Sequence, residues 1–121
     1  MTTSASRGNR PEVDRRRTPR YPFVATAEIV EKLSGTPIHA RVSDLSLYGC
    51  YVDMSNPLPS GTQVFVKIFT DTDFFEADAS VLYSQANLGM GLGFRDVKPH
   101  FLPTLQRWLF QAMQELRKEE H

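Results

Sequence analysis

The chain has 121 residues, 40% of them hydrophobic, with a formal net charge of zero and a single cysteine. A chain of this length reads as one domain with a tail, able to bury about two-thirds of its unfolded surface and so to build a core without disulfides. One cysteine excludes a disulfide framework and a cysteine-based zinc site, and no apolar run approaches the roughly 20 residues of a membrane-spanning helix.

Charge is unevenly spread. Residues 1–20 carry six Arg against Glu12 and Asp14, a net of +4, while residues 21–121 carry eight Lys and Arg against twelve Asp and Glu, a net of −4. A basic arm suits an anionic partner, whether nucleic acid, membrane surface or small ligand. The acidic remainder of the chain argues against nucleic acid. Residues 1–14 are dominated by Ser, Thr, Gly, Asn, Pro and charge, and are expected to be disordered without a ligand. Pro19 and Pro22 bias the residues before them toward extended conformations.

From Phe23 the pattern has period two. Phe23, Ala25, Ala27 and Ile29 alternate with Val24, Thr26, Glu28 and Val30, and after the turn signal Ser34-Gly35 the alternation resumes at Ile38, Ala40 and Val42. These runs predict an antiparallel hairpin with one buried face. A third strand is predicted at about 49–54, ended by Asn56-Pro57-Leu58-Pro59-Ser60-Gly61. Cys50 in this strand reads as a small buried hydrophobe. Val64, Val66 and Ile68 mark a fourth strand, and Phe75, Ala77, Ala79, Val81 and Tyr83 a fifth, beyond the turn Asp71-Thr72-Asp73. The acidic residues Asp71, Asp73, Glu76 and Asp78 read as a solvated turn and strand face. In the sixth strand Leu88, Met90, Leu92 and Phe94 are expected on one face and Gly89, Gly91 and Gly93 on the other. A face without side chains implies that a backbone, the terminal helix or a ligand packs close against it. Leu102, Leu105, Leu109, Ala112 and Leu116 then follow helical spacing, with Pro103 placing the helix start nearby.

Two motifs carry the chemistry. Arg16-x-x-x-Arg20 supplies guanidinium forks suited to phosphate and able to stack on a base. Asp44-x-Ser46-x-x-Gly49 supplies an acceptor for guanine-type N–H donors, a hydroxyl that both donates and accepts, and a glycine that permits close approach. Gly-x-Gly-x-Gly at 89–93 is not a dinucleotide fingerprint, because its glycines alternate inside a strand. Catalysis finds no support: His39, His100 and His121 lack metal-ligand spacing, and Ser46 has neither a base nor a nucleophile elbow around it. The residues therefore point to an anionic nucleotide site without catalytic machinery, and to a protein that is not an enzyme and needs no cofactor.

With both motifs in place ahead of six strands and a helix, residues 14–118 resemble the PilZ domain family of bacterial cyclic di-GMP receptors; Gly91-Leu92-Gly93-Phe94 also looks like the family. The resemblance implies a mainly β fold, a six-stranded antiparallel β-barrel with a C-terminal α-helix and a flexible basic N-terminal arm. In that frame residues 1–14 are the tail and 15–121 the domain, with the arm at 15–22, the barrel at 23–97 and the helix at 99–118. It implies that Arg16 and Arg20 grip phosphate and guanine, that Asp44 and Ser46 read the guanine edge, and that Gly49 shapes the turn. Arg15, Arg17, Tyr83, Gly91 and Gly93 are secondary candidates, Tyr83 either against a guanine or in the core. The implied function is a cytoplasmic, non-enzymatic receptor, monomer or dimer, whose arm closes over cyclic di-GMP and signals to an unidentified downstream protein. The competing reading is a protein-interaction adaptor that works without nucleotide through Trp108 or Tyr48.

Overall fold

The computed structural model describes residues 18–119; the 1–14 tail and Arg15, Arg16 and Arg17 lie outside the described residues. Strands β1 (Tyr21–Glu31), β2 (Pro37–Ser46), β3 (Gly49–Asp53), β4 (Gln63–Phe69), β5 (Phe74–Gln85) and β6 (Gly89–Asp96) precede a 3₁₀ turn (Pro99–Phe101) and helix α1 (Leu102–Glu119). The strands close into an antiparallel barrel in the order β1-β2-β3-β6-β5-β4. No helix among the described residues is long and apolar enough to cross a membrane.

The period-two pattern is what closes the barrel. Ala27, Ile29, Val42, Val52, Val64, Val66, Ile68, Phe75, Val81, Met90 and Leu92 all point inward and are buried. Each fully buried aliphatic or aromatic side chain contributes about 1.5–3 kcal/mol. Helix α1 seals one mouth of the barrel with Leu105, Trp108 and Ala112. Trp108 is only 2% exposed, with its ring 5.2 Å from Phe23 and 6.3 Å from Phe75. It is therefore core and not the docking residue considered from sequence, whereas Tyr48 is exposed. Arg107 ties the start of the helix to Asp73 in the β4–β5 turn at 2.8 Å. The acidic run is partnered elsewhere too, with Asp78 on Lys32 and Glu76 on Lys67.

One expectation fails and one open alternative closes, each for a physical reason. Leu88 does not share a face with Met90 and Leu92. It sits exposed in the β5–β6 turn, where Asn87 takes a left-handed φ of 67°. Tyr83 does not continue the inward row of Ala79 and Val81. The register shifts between Val81 and Tyr83, so that Val81 opposes Leu92 while Tyr83 opposes Gly91. A bulge inserts an extra residue and re-aims the side chains beyond it. It leaves both Leu82 and Tyr83 exposed on the outside of the barrel.

The glycine face of β6 is covered by its neighbours, not by α1. A Cβ on Gly91 would lie 2.4 Å from the Tyr83 ring, one on Gly93 would meet Leu82, and one on Gly89 would lie 2.1 Å from the Val52 carbonyl oxygen. Cys50, buried at the start of β3, has its thiol pushed up to about 12, chiefly by burial and then by the charge of Asp44.

Candidate functional site

Strand pairing assembles a small grid on the outer face of the barrel. Asp44 of β2 opposes Tyr51 of β3, Tyr51 opposes Gly91 of β6, and Gly91 opposes Tyr83 of β5. The next row along the strands runs Arg41, Asp53, Gly89, Gln85. Paired residues share a face of the sheet, and a register shift between Val42 and Asp44 brings Arg41 and Asp44, three apart on β2, to the same side. Arg20 approaches the first row from the segment leading into β1. The result is an open cleft of about 370 Å³ lined by Arg20, Asp44, Tyr51, Asp53, Tyr83, Gln85 and Leu88.

Glycine sets the floor. Without side chains at 89 and 91, the rings of Tyr51 and Tyr83 lie down across β6, with centroids 6.1 Å apart and planes inclined by 32°. Rings lying on a sheet present a flat apolar surface, on which a base can stack for about 1–3 kcal/mol. The phenols are also engaged: Tyr51 donates to Gln85 Oε1 at 2.5 Å, and Arg20 Nη1 donates to the Tyr83 hydroxyl at 3.2 Å. The Tyr51 phenol is pushed above its ordinary value by burial, then by Tyr83, Asp53 and Asp44, which keeps it a donor.

The arm and the barrel meet through charge. The Arg20 guanidinium is raised further above its ordinary value, first by the Tyr83 hydrogen bond and also by the Asp44 carboxylate. A guanidinium has five N–H donors in a planar fork, so one bond to Tyr83 leaves most of it able to engage an anion. On the far side, Arg41 Nη1 donates to Asp53 Oδ2 at 2.7 Å.

The sequence-predicted residues thus divide. Arg20, Asp44 and Tyr83 converge on the cleft, and Gly91 forms its floor. Ser46 and Gly49 do not line it; they end β2 and begin β3, on either side of the two-residue turn. Ser46 is 7% exposed; its hydroxyl accepts from the Tyr48 N–H at 3.2 Å and donates to the Gly49 carbonyl at 3.3 Å. Gly49 lies opposite Gly93, and a Cβ on it would fall 2.1 Å from the Leu92 carbonyl oxygen. Arg15, Arg16 and Arg17 lie outside the described residues. Sequence reasoning missed Tyr51, Asp53 and Gln85. The signal for the first two was the outward phase of Cys50-Tyr51-Val52-Asp53, in which alternate residues of β3 leave the core.

A family model described as the PilZ domain matches residues 14–111. Among solved structures, the PilZ domain of YcgR from Escherichia coli with c-di-GMP aligns at a TM-score of 0.70 and 19% identity, covering 88% of this chain and 98% of that one. A longer YcgR chain from Escherichia coli, in complex with c-di-GMP, aligns at 0.73 and 21%, covering 88% of this chain and 49% of its own. The inhibitor of motility MotI/DgrA from Bacillus subtilis aligns at 0.66 and 19%, covering 84% and 53%. This chain thus spans about half the length of the last two. At these identities the likeness is one of fold. No curated protein sequence matches the chain.

Proposed function

Since the chain belongs to the PilZ domain family, we propose that it is a non-enzymatic receptor for cyclic di-GMP. The observation that carries this reading is the convergence of Arg20 and Asp44, from motifs 24 residues apart in sequence, on one cleft floored by Tyr51, Tyr83 and the β6 glycines. The ligand named with two of the similar structures, c-di-GMP, has the chemistry this cleft would take: two phosphates for guanidinium forks and two guanines for carboxylates and rings.

In this reading Arg16 and Arg20 hold phosphate and guanine, and Asp44 accepts from guanine N–H donors. Ser46 and Gly49 hold the β2–β3 turn so that Asp44 stands at the right height, and Arg15 and Arg17 add positive charge along the arm. The net +4 of residues 1–20 draws the anionic ligand in. Closure of the arm over bound ligand then changes the surface offered to a downstream protein in the cytoplasm.

Thermal unfolding with and without ligand tests the reading. Cyclic di-GMP at a hundredfold excess over its Kd adds about 2.7 kcal/mol of stability, which raises the midpoint of a domain of this size by about 10 °C. Guanosine monophosphate at the same concentration gives a far smaller rise. Equal or absent shifts with both nucleotides would refute the reading.

A further inference from the structure

The second row of the cleft has no part in the motifs, yet it is built as carefully as the first. Asp53 and Gln85 face one another across Gly89. We propose that this pair forms a second guanine-edge subsite, distinct from the one at Asp44. The proposal rests on the nucleotide reading above and adds the residues that give this chain its preference for a second guanine.

Each partner is held in the orientation the edge of a guanine needs. Arg41, opposite Asp53 in register, takes Oδ2 of its carboxylate at 2.7 Å. A carboxylate has two oxygens and about four lone-pair positions, so Oδ1 keeps its capacity to accept. Tyr51 donates to Gln85 Oε1 at 2.5 Å, which occupies the amide oxygen and turns the amide NH₂ into the working end. The row therefore offers an acceptor on one side and a donor on the other. Guanine presents the complement, with N1–H and N2–H₂ donors beside the O6 acceptor. Adenine lacks the second donor beside its ring nitrogen and leaves the carboxylate under-used.

Spacing agrees. Asp53 and Gln85 lie on strands two apart, so their backbones are roughly 10 Å apart, room for a purine edge and a hydrogen bond at each end. Gly89 lets the Tyr51 ring lie between them as a platform beneath the base, because a Cβ there would meet the Val52 carbonyl oxygen at 2.1 Å and the Tyr51 ring at 2.9 Å. A purely structural role explains less. An exposed ion pair such as Arg41–Asp53 contributes about 0–1 kcal/mol, and it gives no reason for the fixed amide of Gln85.

The test is titration of the full chain and its Asp53→Asn variant with cyclic di-GMP and with cyclic GMP–AMP, which carries only one guanine. Asp53→Asn exchanges an acceptor for a donor at nearly constant shape, and its unfolding midpoint serves as the folding control. The wild-type chain is expected to favour cyclic di-GMP by about 10–100-fold, the value of one charge-assisted contact. Asp53→Asn should erase that preference by weakening cyclic di-GMP alone, and Gln85→Leu should do the same. Wild-type binding with an unchanged preference in both variants overturns the second subsite and leaves the receptor reading standing. Failure of the wild-type chain to bind either dinucleotide overturns both.

Discussion

The ring of Tyr83 lies across Gly91: a Cβ on residue 91 would sit 2.4 Å from Tyr83 Cε1 and 2.9 Å from its hydroxyl oxygen. The glycine thus sets the height of the ring, and the ring sets the height of Arg20, which donates to its hydroxyl.

Gly91→Ala should accordingly dissociate binding from stability. The obstructing atoms belong to the far end of a side chain that can swing outward, so the fold survives with a loss below about 1 kcal/mol. The displaced ring no longer offers a base its face, and affinity for cyclic di-GMP falls about tenfold. Calorimetric titration beside a thermal melt reads both quantities; an unchanged affinity would show that Tyr83 does not touch the ligand.

Gly49→Ala should do the reverse. Here the obstacle is backbone, the Leu92 carbonyl oxygen at 2.1 Å, which cannot move without parting β3 from β6. Overpacking of this kind costs about 2–3 kcal/mol. Urea unfolding should show a lower midpoint with an unaltered slope.

Ser46→Ala removes a buried hydroxyl that serves the Tyr48 N–H and the Gly49 carbonyl. Leaving those groups unsatisfied costs about 1–2 kcal/mol of stability. If Ser46 acts through the turn, ligand affinity weakens only as far as Asp44 is displaced, and Ser46→Thr, which restores the oxygen, recovers part of the lost stability in the same urea titration.

The Cys50 thiol is pushed up to about 12, first by burial and then by Asp44, so the folded protein holds its proton more tightly than the unfolded chain. The stabilisation is complete below the unfolded value of about 8.5 and declines as pH rises through the folded one. Stability should therefore fall between about pH 9 and pH 12, less steeply in Cys50→Ala. Native protein at about pH 8 should resist thiol reagents that label the unfolded chain at once.

Much of the architecture was legible because one face of each strand is buried, and burial imposes period two. Val64, Val66 and Ile68 could face no other way, and Pro103 could stand only in a first helical turn. Tyr83 was not legible because its direction depends on a bulge, and a bulge is fixed by pairing with β6 rather than by the residues of β5 alone. Trp108 stands beside the helical stripe, and only the competing adaptor reading gave it a surface role, while the barrel mouth supplies Phe23 and Phe75 to enclose it. Of the site, Arg20 and Asp44 were visible as parts of motifs. Tyr51 and Asp53 showed only as the outward phase of β3 and Gln85 belongs to no local pattern; the three come together only through the β2-β3-β6-β5 order.

Joint capture of cyclic di-GMP by Arg20 and Asp44 is read by isothermal titration of the wild-type chain beside Arg20→Ala and Asp44→Ala. Saturable heat with micromolar or tighter affinity is expected in the wild type, and a loss of about tenfold or more in each variant at an unchanged melting midpoint. No heat from the wild type at roughly 100 micromolar ligand, a level at which even weak receptors bind, or wild-type affinity in both variants, would contradict it.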